Sequence, residues 1–452
     1  MTSASELLAL RSELGGSLVL PGDAGYEAAR MPWNLSVDQR PAAIAEPADV
    51  ADVQAILRTA AAAGLGVTVQ PNGHGASGDL NDVVLVRPTR FDTLIVDEQA
   101  RVLRAGAGVN WGRALEQLDG TGLVALAGSN PEVNVVALAI AGGHSMFSRR
   151  YGITARSIIS VEFVDAAGTL HRVTDADDAE LMWALRGGGG LFGIVTEVEL
   201  VLYPGEAIFG GSLMFPAEAA EAVVVAALEL ARDELELGLD IGMMHFPDAP
   251  QAPPHLRGRT VATIGLVHVG DEATGRAFAD RIVAVAEPIA DTLTSFTIGS
   301  LAAVAAEPVD PMPSSDFGAA LDGLDAAAFA HDFVDAFLRG AERGLMRASI
   351  RAMGGAIADE LGAEFAAVGA TQADALMSCS VLLFDPSLDA DAAFEPMRDL
   401  AAKYPGGTVL PTFLSSGATL ADAYDREVLD RLAAVKQRVD PGGVIRSNRP
   451  LG

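Results

Sequence analysis

The chain has 452 residues, half of them hydrophobic, and a formal charge of −29 at neutral pH. That length predicts roughly two or three domains or lobes, and the hydrophobic share excludes a disordered chain. The acidity argues against a nucleic-acid binder or a binder of anionic membranes, since either needs a clustered basic surface. The lone Cys379 excludes a disulfide framework and any multi-cysteine metal site.

In chain order, residues 1–8 lack a basic leader, and Arg11 and Glu13 interrupt any apolar run, so no secretory signal is expected. Residues 133–146 are too few to span a bilayer and contain paired glycines, so the expectation is a soluble, cytoplasmic protein. Pro47-Ala48-Asp49 opens a helix with Val50, Val53, Leu57 and Ala60 on one face, and Gly64 ends it. A short strand at 67–69 then runs into Gln70-Pro71-Asn72-Gly73-His74-Gly75-Ala76-Ser77-Gly78. Glycines there permit positive φ and close approach of backbone amides to a ligand. A histidine between them is a nucleophilic nitrogen held beside whatever the loop binds. Taken alone, the same string also suits a turn with an incidental surface histidine. Residues 82–87 read as a strand, and 93–96 with 102–105 as a hairpin. Trp111, Leu115 and Leu118 have helical spacing, ended by Gly120.

Small residues dominate from Ala127-Gly128-Ser129-Asn130-Pro131 through Val133-Asn134-Val135 to Ala141-Gly142-Gly143-His144 and Ser148-Arg149-Arg150-Tyr151-Gly152-Ile153. Such a stretch suits backbone laid against an extended ligand, or a tightly packed glycine-rich crossing of the core. Arg149 and Arg150 read either as compensation for phosphate charge or as solvated arginines. Residues 158–164 and 169–173 form a second strand pair, and a helix through Leu181, Met182 and Leu185 leads to four consecutive glycines and a long strand at 194–203. Gly188, Gly190 and Gly193 have G-x-G-x-x-G spacing, but with a helix before and a strand after them. A dinucleotide fingerprint requires the opposite order, so that reading is rejected. Hairpins interspersed with helices predict an α+β fold, not a doubly wound parallel sheet.

Beyond Tyr203-Pro204-Gly205 the chain becomes alanine-rich and acidic, with a helix at 216–233 and strands at 241–245, 260–269, 347–353 and 377–384. These predict an antiparallel sheet with helices on one side. The proline-rich segment 308–313 either borders a site or connects elements. Tyr424, Val428, Leu432 and Val435 form the face of a last helix, stopped by Asp440-Pro441-Gly442-Gly443.

Four blocks combine: residues 69–76; Gly142-Gly143 with Ser148-Arg149-Arg150-Tyr151-Gly152; Leu181-Met182-Trp183-Ala184-Leu185-Arg186 with the glycine run and Leu191 to Thr196; and residues 431–436 with Asp440-Pro441-Gly442-Gly443 and Arg446-Ser447-Asn448. Together they resemble the flavoproteins of the p-cresol methylhydroxylase-type FAD-binding fold, and within them the berberine bridge enzyme-like oxidoreductases. The resemblance implies an α+β, two-domain fold. Residues 1–205 would form the N-terminal part of the FAD-binding domain and 206–425 a substrate-binding domain whose antiparallel sheet, backed by helices, covers the flavin. Residues 426–452 would return to the FAD-binding domain.

It also implies an extended FAD whose pyrophosphate lies on backbone amides of the histidine loop. His74 would bond through a ring nitrogen to the flavin 8α-methyl, which retains the cofactor and makes it a stronger oxidant. The position that carries a second, cysteinyl link in many relatives matches Asn130, and Cys379 lies in the apolar run 376–384, so a single tether is expected. The residues expected against the cofactor are Pro71, Asn72, Gly73, His74, Gly75, Ala76, Asn130, Val135, Gly142, Gly143, Ser145, Gly152, Gly193, Ile194, Val195 and Asn448.

The implied activity is that of an oxidase. A hydride passes from a C–H next to oxygen or nitrogen in a small alcohol, sugar or amine to flavin N5, with O2 as acceptor. Two alternatives stay open: a dehydrogenase of the same fold with another acceptor, and a non-catalytic flavoprotein that binds a small molecule. An alcohol needs a base for its hydroxyl proton, whereas an amine needs only to arrive neutral. The family's Tyr-x-Asn-Phe strand corresponds here to Leu410-Pro411-Thr412-Phe413, which has neither its tyrosine nor a glutamate. The candidates to replace it are His144, Tyr151, His245, His268 and Arg351. His144 stands where relatives carry an apolar residue, and for His245 and His268 strand alternation leaves one face in two toward the flavin. No metal, nucleic-acid or membrane partner is expected.

Overall fold

The computed structural model describes residues 3–78, 80–249, 252–305, 307–359 and 364–452. Its first sheet has four strands, β1 (Ser17–Val19), β2 (Ala43–Glu46), β3 (Gly66–Val69) and β4 (Val83–Val86), in the order β1-β2-β4-β3. β4 runs parallel to both β2 and β3, and β1 antiparallel to β2. The helix Val50–Ala63 supplies the crossover. Asp49 caps it by accepting from the Asp52 amide, and Gly64 ends it at φ 70°. Its face of Val53, Ile56, Leu57 and Ala60 packs on Ala43, Val67, Val84 and Val86.

A second sheet is wholly antiparallel. It contains β5 (Leu94–Asp97), β6 (Val102–Gly106), β8 (Ile158–Val164), β9 (Leu170–Val173) and β10 (Ile194–Val201), with the order β5-β6-β10-β8-β9. The short β7 (Leu123–Val124) pairs with β11 (Tyr203–Pro204). Between the helix Asp175–Leu185 and β10 the glycine run makes only a short 3₁₀ turn, Gly189–Leu191.

The third sheet has eight strands, all antiparallel: β15 (Ala290–Asp291), β12 (Ile208–Pro216), β14 (Thr260–Val269), β13 (Gly238–His245), β18 (Arg347–Ala352), β19 (Ala375–Leu382) and β17 (Ser314–Leu321) in that order, with β16 (Thr294–Phe296) also on β12. One face carries Ile241, Met243, Ala348, Ile350, Met377 and Cys379 into a core with the helices Ala220–Asp233, Glu272–Val283, Ala326–Ala341 and Ala390–Lys403. Strand alternation puts Asp240, Arg347, Ser349, Arg351, Ser378 and Ser380 on the other face. That face looks at the glycine-rich stretch: a Cβ on Gly238 would stand 2.0 Å from the Met146 carbonyl oxygen.

The α+β architecture is the expected one. β12, β17 and three of the four backing helices lie outside the predicted elements, because Gly210-Gly211 and Ser314-Ser315-Asp316 have little strand propensity of their own. The last helix is Arg426–Val439, and Tyr424 precedes it, its hydroxyl donating to the Gly187 carbonyl at 2.8 Å. The chain end then lies along β3, where Val67 donates to Val444 and Arg446 donates to Val67. Among the described residues no helix is long and apolar enough to cross a membrane.

Candidate active site

β3 delivers the chain directly into the histidine loop, and three devices hold that loop open. Gln39 and Gln70 exchange amide hydrogen bonds at 2.9 and 3.0 Å, and Gln39 also donates to Ser77. Arg87 donates to the Gln70 carbonyl at 2.8 Å and to Met31 at 2.9 Å. Gly73 turns at φ 87°, and a Cβ there would lie 2.7 Å from both Gln70 Nε2 and Pro32 Cβ. Gly73→Ala is therefore expected to cost about 2 kcal/mol or more in unfolding free energy from backbone strain and crowding, read by thermal melts.

Within this frame the His74 ring stacks on Trp33, with centroids 4.3 Å apart and planes 17° apart. Trp33 and Asn34 also donate backbone hydrogen bonds to Asn72 and Gly73. His74 Nε2 is buried with no protein partner, and burial lowers the pKa to about 4, so the imidazole is neutral at pH 7. Sequence reading missed Trp33, whose position 41 residues upstream carries no local signal.

A cleft runs from His74 past Asn134, the glycine turn at Gly187 and Gly193 to Thr412 and Asn448. Of the expected cofactor residues, Pro71, Asn72, Gly73, His74, Gly75, Ala76, Gly193, Ile194, Val195 and Asn448 line it. Asn448 is also turned to the loop itself, where its side-chain amide donates to the Gly75 carbonyl. Asn130, Val135, Gly142, Gly143, Ser145 and Gly152 stand behind the lining. Asn130 donates to the Pro308 carbonyl at 2.9 Å, and Val135 is fully buried. Gly142 and Gly143 accept from Ala155 and Thr154, Ser145 pairs with Ser148, and Gly152 makes a turn at φ 94°. The proline-rich segment both connects and borders: Trp33 Nε1 donates to Val309 at 3.0 Å.

Three buried polar atoms of this cleft, His74 Nε2, Asn72 Oδ1 and Thr412 Oγ1, have no partner. Each such group costs about 1–3 kcal/mol unless a ligand satisfies it. An extended cofactor with polar groups along its length fits this lining, where Gln70, Asn134, Ser447, Asn448 and Arg449 stand among apolar side chains and glycine backbone.

Of the five catalytic candidates, His144 and Arg351 meet. His144 is 5% exposed, neither ring nitrogen has a protein partner, and its ring stands edge-on to Phe413 at 6.2 Å. Burial, reinforced by the positive charges of Arg351 and Arg149, holds it well below the usual histidine range. The Arg351 guanidinium lies 5.3 Å from the Phe413 ring centroid and donates to Asp240 and Ser129, each at 3.2 Å. Tyr151 is turned away, stacked on Tyr203 and donating to the Pro204 carbonyl. His245 pairs with Thr260 at the end of its strand, and His268 packs edge-on against Phe278 on the helix side.

Neither arginine of the Arg149-Arg150 pair compensates phosphate. Arg149 is 3% exposed, and its guanidinium donates to the carbonyls of Ala231, Glu234, Leu237 and Met353. Arg150 pairs with Glu236.

Of the charged face of the large sheet, the sequence reading named only Arg351. Asp240 bridges Arg347 at 3.1 Å and Arg351 at 3.2 Å. The alternation Arg347-x-Ser349-x-Arg351 in an otherwise apolar strand is the one signal that pointed to it. On β17, Asp316 stands opposite Ser380 and is exposed.

The FAD binding domain family matches residues 41–174. The chain is 27% identical over 477 aligned residues to (R)-6-hydroxynicotine oxidase of Paenarthrobacter nicotinovorans, an alignment covering 98% of each protein. Its fold is shared with 6-hydroxy-D-nicotine oxidase from Arthrobacter nicotinovorans, at a TM-score of 0.82 and 22% identity over 97% of this chain and 98% of that one. Berberine bridge enzyme from Eschscholzia californica superposes at a TM-score of 0.81 and 15% identity, with 98% of each chain covered.

Proposed function

We propose that this chain, an FAD-dependent oxidoreductase of the berberine bridge enzyme-like kind, carries its flavin on a single covalent tether from His74 to the 8α carbon. We further propose that it oxidises a C–H next to oxygen or nitrogen in a small alcohol, sugar or amine, with O2 taking the electrons. The observation that carries the reading is His74 itself: a neutral imidazole, one buried nitrogen free, held by Trp33 at the mouth of the cleft. FAD supplies the two-electron acceptor when bound.

The chain's own residues do the rest. Trp33 fixes the plane of the imidazole, so its lone pair needs no reorientation. Backbone of the glycine loop, with Asn72 and Thr412, offers polar groups along the cleft. Asn130 occupies the place of a second tether and is spent on the Pro308 carbonyl, and Cys379 is buried in the helix-side core. His144 and Arg351 stand together by Phe413, where a neutral imidazole can donate or accept one hydrogen bond.

Acid precipitation of the purified holoprotein tests the tether: yellow colour should stay with the pellet, and flavin in the supernatant overturns it. Trp33→Ala is expected to lower the fraction of pellet-bound flavin severalfold at unchanged total FAD, measured by absorbance before and after precipitation, because the stack that fixes the imidazole is lost. O2 uptake on reoxidation of the reduced protein supports an oxidase. Reoxidation that waits for an added quinone identifies a dehydrogenase.

A further inference from the structure

The cleft carries a single formal charge, and it is positive. Among the described residues that line it, His74 and Arg449 are the only ionisable side chains, and His74 is neutral at pH 7. A chain of net charge −29 thus brings no carboxylate to this lining and one guanidinium. Arg87 and Arg446, the other cations near the histidine loop, stand outside the lining: Arg87 is spent on backbone carbonyls and Arg446 lies over Gly66.

The chain end delivers Arg449. Ile445 bridges to Val67 on β3, so the residues after it run beside the loop that β3 enters. Asn448 donates to the Gly75 carbonyl, and a Cβ on Gly75 would stand 3.7 Å from Arg449 Nη2. The guanidinium is braced there by carbonyls. Nη1 donates to Ser415 at 2.6 Å and Ala418 at 3.2 Å, and Nη2 to Leu414 at 2.7 Å. Among the described residues the N–H on Nε and the second on Nη2 have no acceptor. Burial disfavours the charge, and Asp422, whose carboxylate is taken by Thr419, offsets this only from a distance.

The loop supplies the other half. The backbone amides of Asn72, Gly73, His74 and Gly75 donate to no acceptor among the described residues. The devices that hold this loop open act through the side chains of Gln39 and Gln70 and through carbonyls that receive Arg87, which leaves those amides unused. A row of free N–H groups beside a guanidinium with N–H groups to spare is a cradle for an anion. The charged part of FAD is its pyrophosphate.

We infer that Arg449 is the counter-ion of the flavin's pyrophosphate, acting with the amides of residues 72–75. The inference rests on the FAD reading of the cleft, but not on the tether, the substrate or the electron acceptor, and it is tested by binding alone.

The test first cuts the tether. Full-length His74→Ala protein is stripped of flavin and titrated with FAD and with riboflavin, which has the same ring and no phosphate, following the quenching of flavin fluorescence. Arg449→Gln in that background should weaken FAD roughly thirtyfold and riboflavin by less than about threefold, because only FAD loses charged hydrogen bonds. Arg449→Lys should return FAD to within about fivefold of the parent, since it keeps the charge with fewer well-placed N–H groups. Equal weakening of FAD and riboflavin by Arg449→Gln would show a guanidinium that only braces residues 414–418, and it overturns the inference, as does unchanged FAD affinity. A parent that takes up no FAD overturns the FAD reading and the counter-ion with it. Flavin released by acid from the wild type removes the tether alone, and the same titration on wild-type protein then decides the counter-ion.

Discussion

His74→Ala is expected to keep FAD in the cleft and lose it on denaturation: the acid pellet turns colourless while the native protein remains yellow. Among the described residues His74 Nε2 has no hydrogen-bond partner, so the loop does not depend on that atom for its shape. Gly73, the paired Gln39 and Gln70, and Arg87 hold the loop through other atoms. The variant loses one ring stack, about 1 kcal/mol, and its melting temperature should move little. Turnover should nevertheless fall on the order of tenfold, equivalent to about 1.4 kcal/mol in the barrier, because the untethered flavin is a weaker oxidant. Colour retained in the His74→Ala pellet would place the bond on another residue.

The second large effect is structural. Arg149→Ala should lower the unfolding free energy by about 3–5 kcal/mol, read from urea or thermal melts. The residue sits in the short helix Ser148–Tyr151 beside the glycine-rich stretch, and it reaches the end of the helix Ala220–Asp233 and the loop after it. Four carbonyl oxygens receive its guanidinium, and among the described residues no carboxylate does. The negative end of the helix dipole supports the charge. Burial lowers its pKa to about 10, which leaves it charged at pH 7. Truncation leaves the four carbonyls buried and unpaired where the two halves of the molecule meet. Arg149→Lys should recover only part of the loss, since one ammonium cannot reach four acceptors spread over residues 231–353.

The parts of this protein that were legible in the sequence are those settled within a few residues. Asp49 and Gly64 mark the ends of one helix because a cap and a positive φ are local requirements. The hairpins β5–β6 and β8–β9 show themselves through alternation and turn residues. The glycine run 187–190 was separable from a dinucleotide fingerprint by the order of its flanking elements alone. β12 and β17 were not legible, since their glycines, serines and aspartate adopt strand geometry only because β14 and β19 pair with them. Arg149 and Arg150 looked equivalent, and only packing separates a buried staple from a surface ion pair.

The sequence by itself determined the loop at Gly73-His74-Gly75, the α+β class and the single cysteine, all carried by residue type and short spacing. Only the tertiary structure decided what surrounds them. Trp33 meets His74, and Arg351 meets His144 through Phe413, because these partners come from distant strands and loops. Contacts of that kind depend on which strands pair, in which register and with which face inward, and that is settled by burial of the whole core.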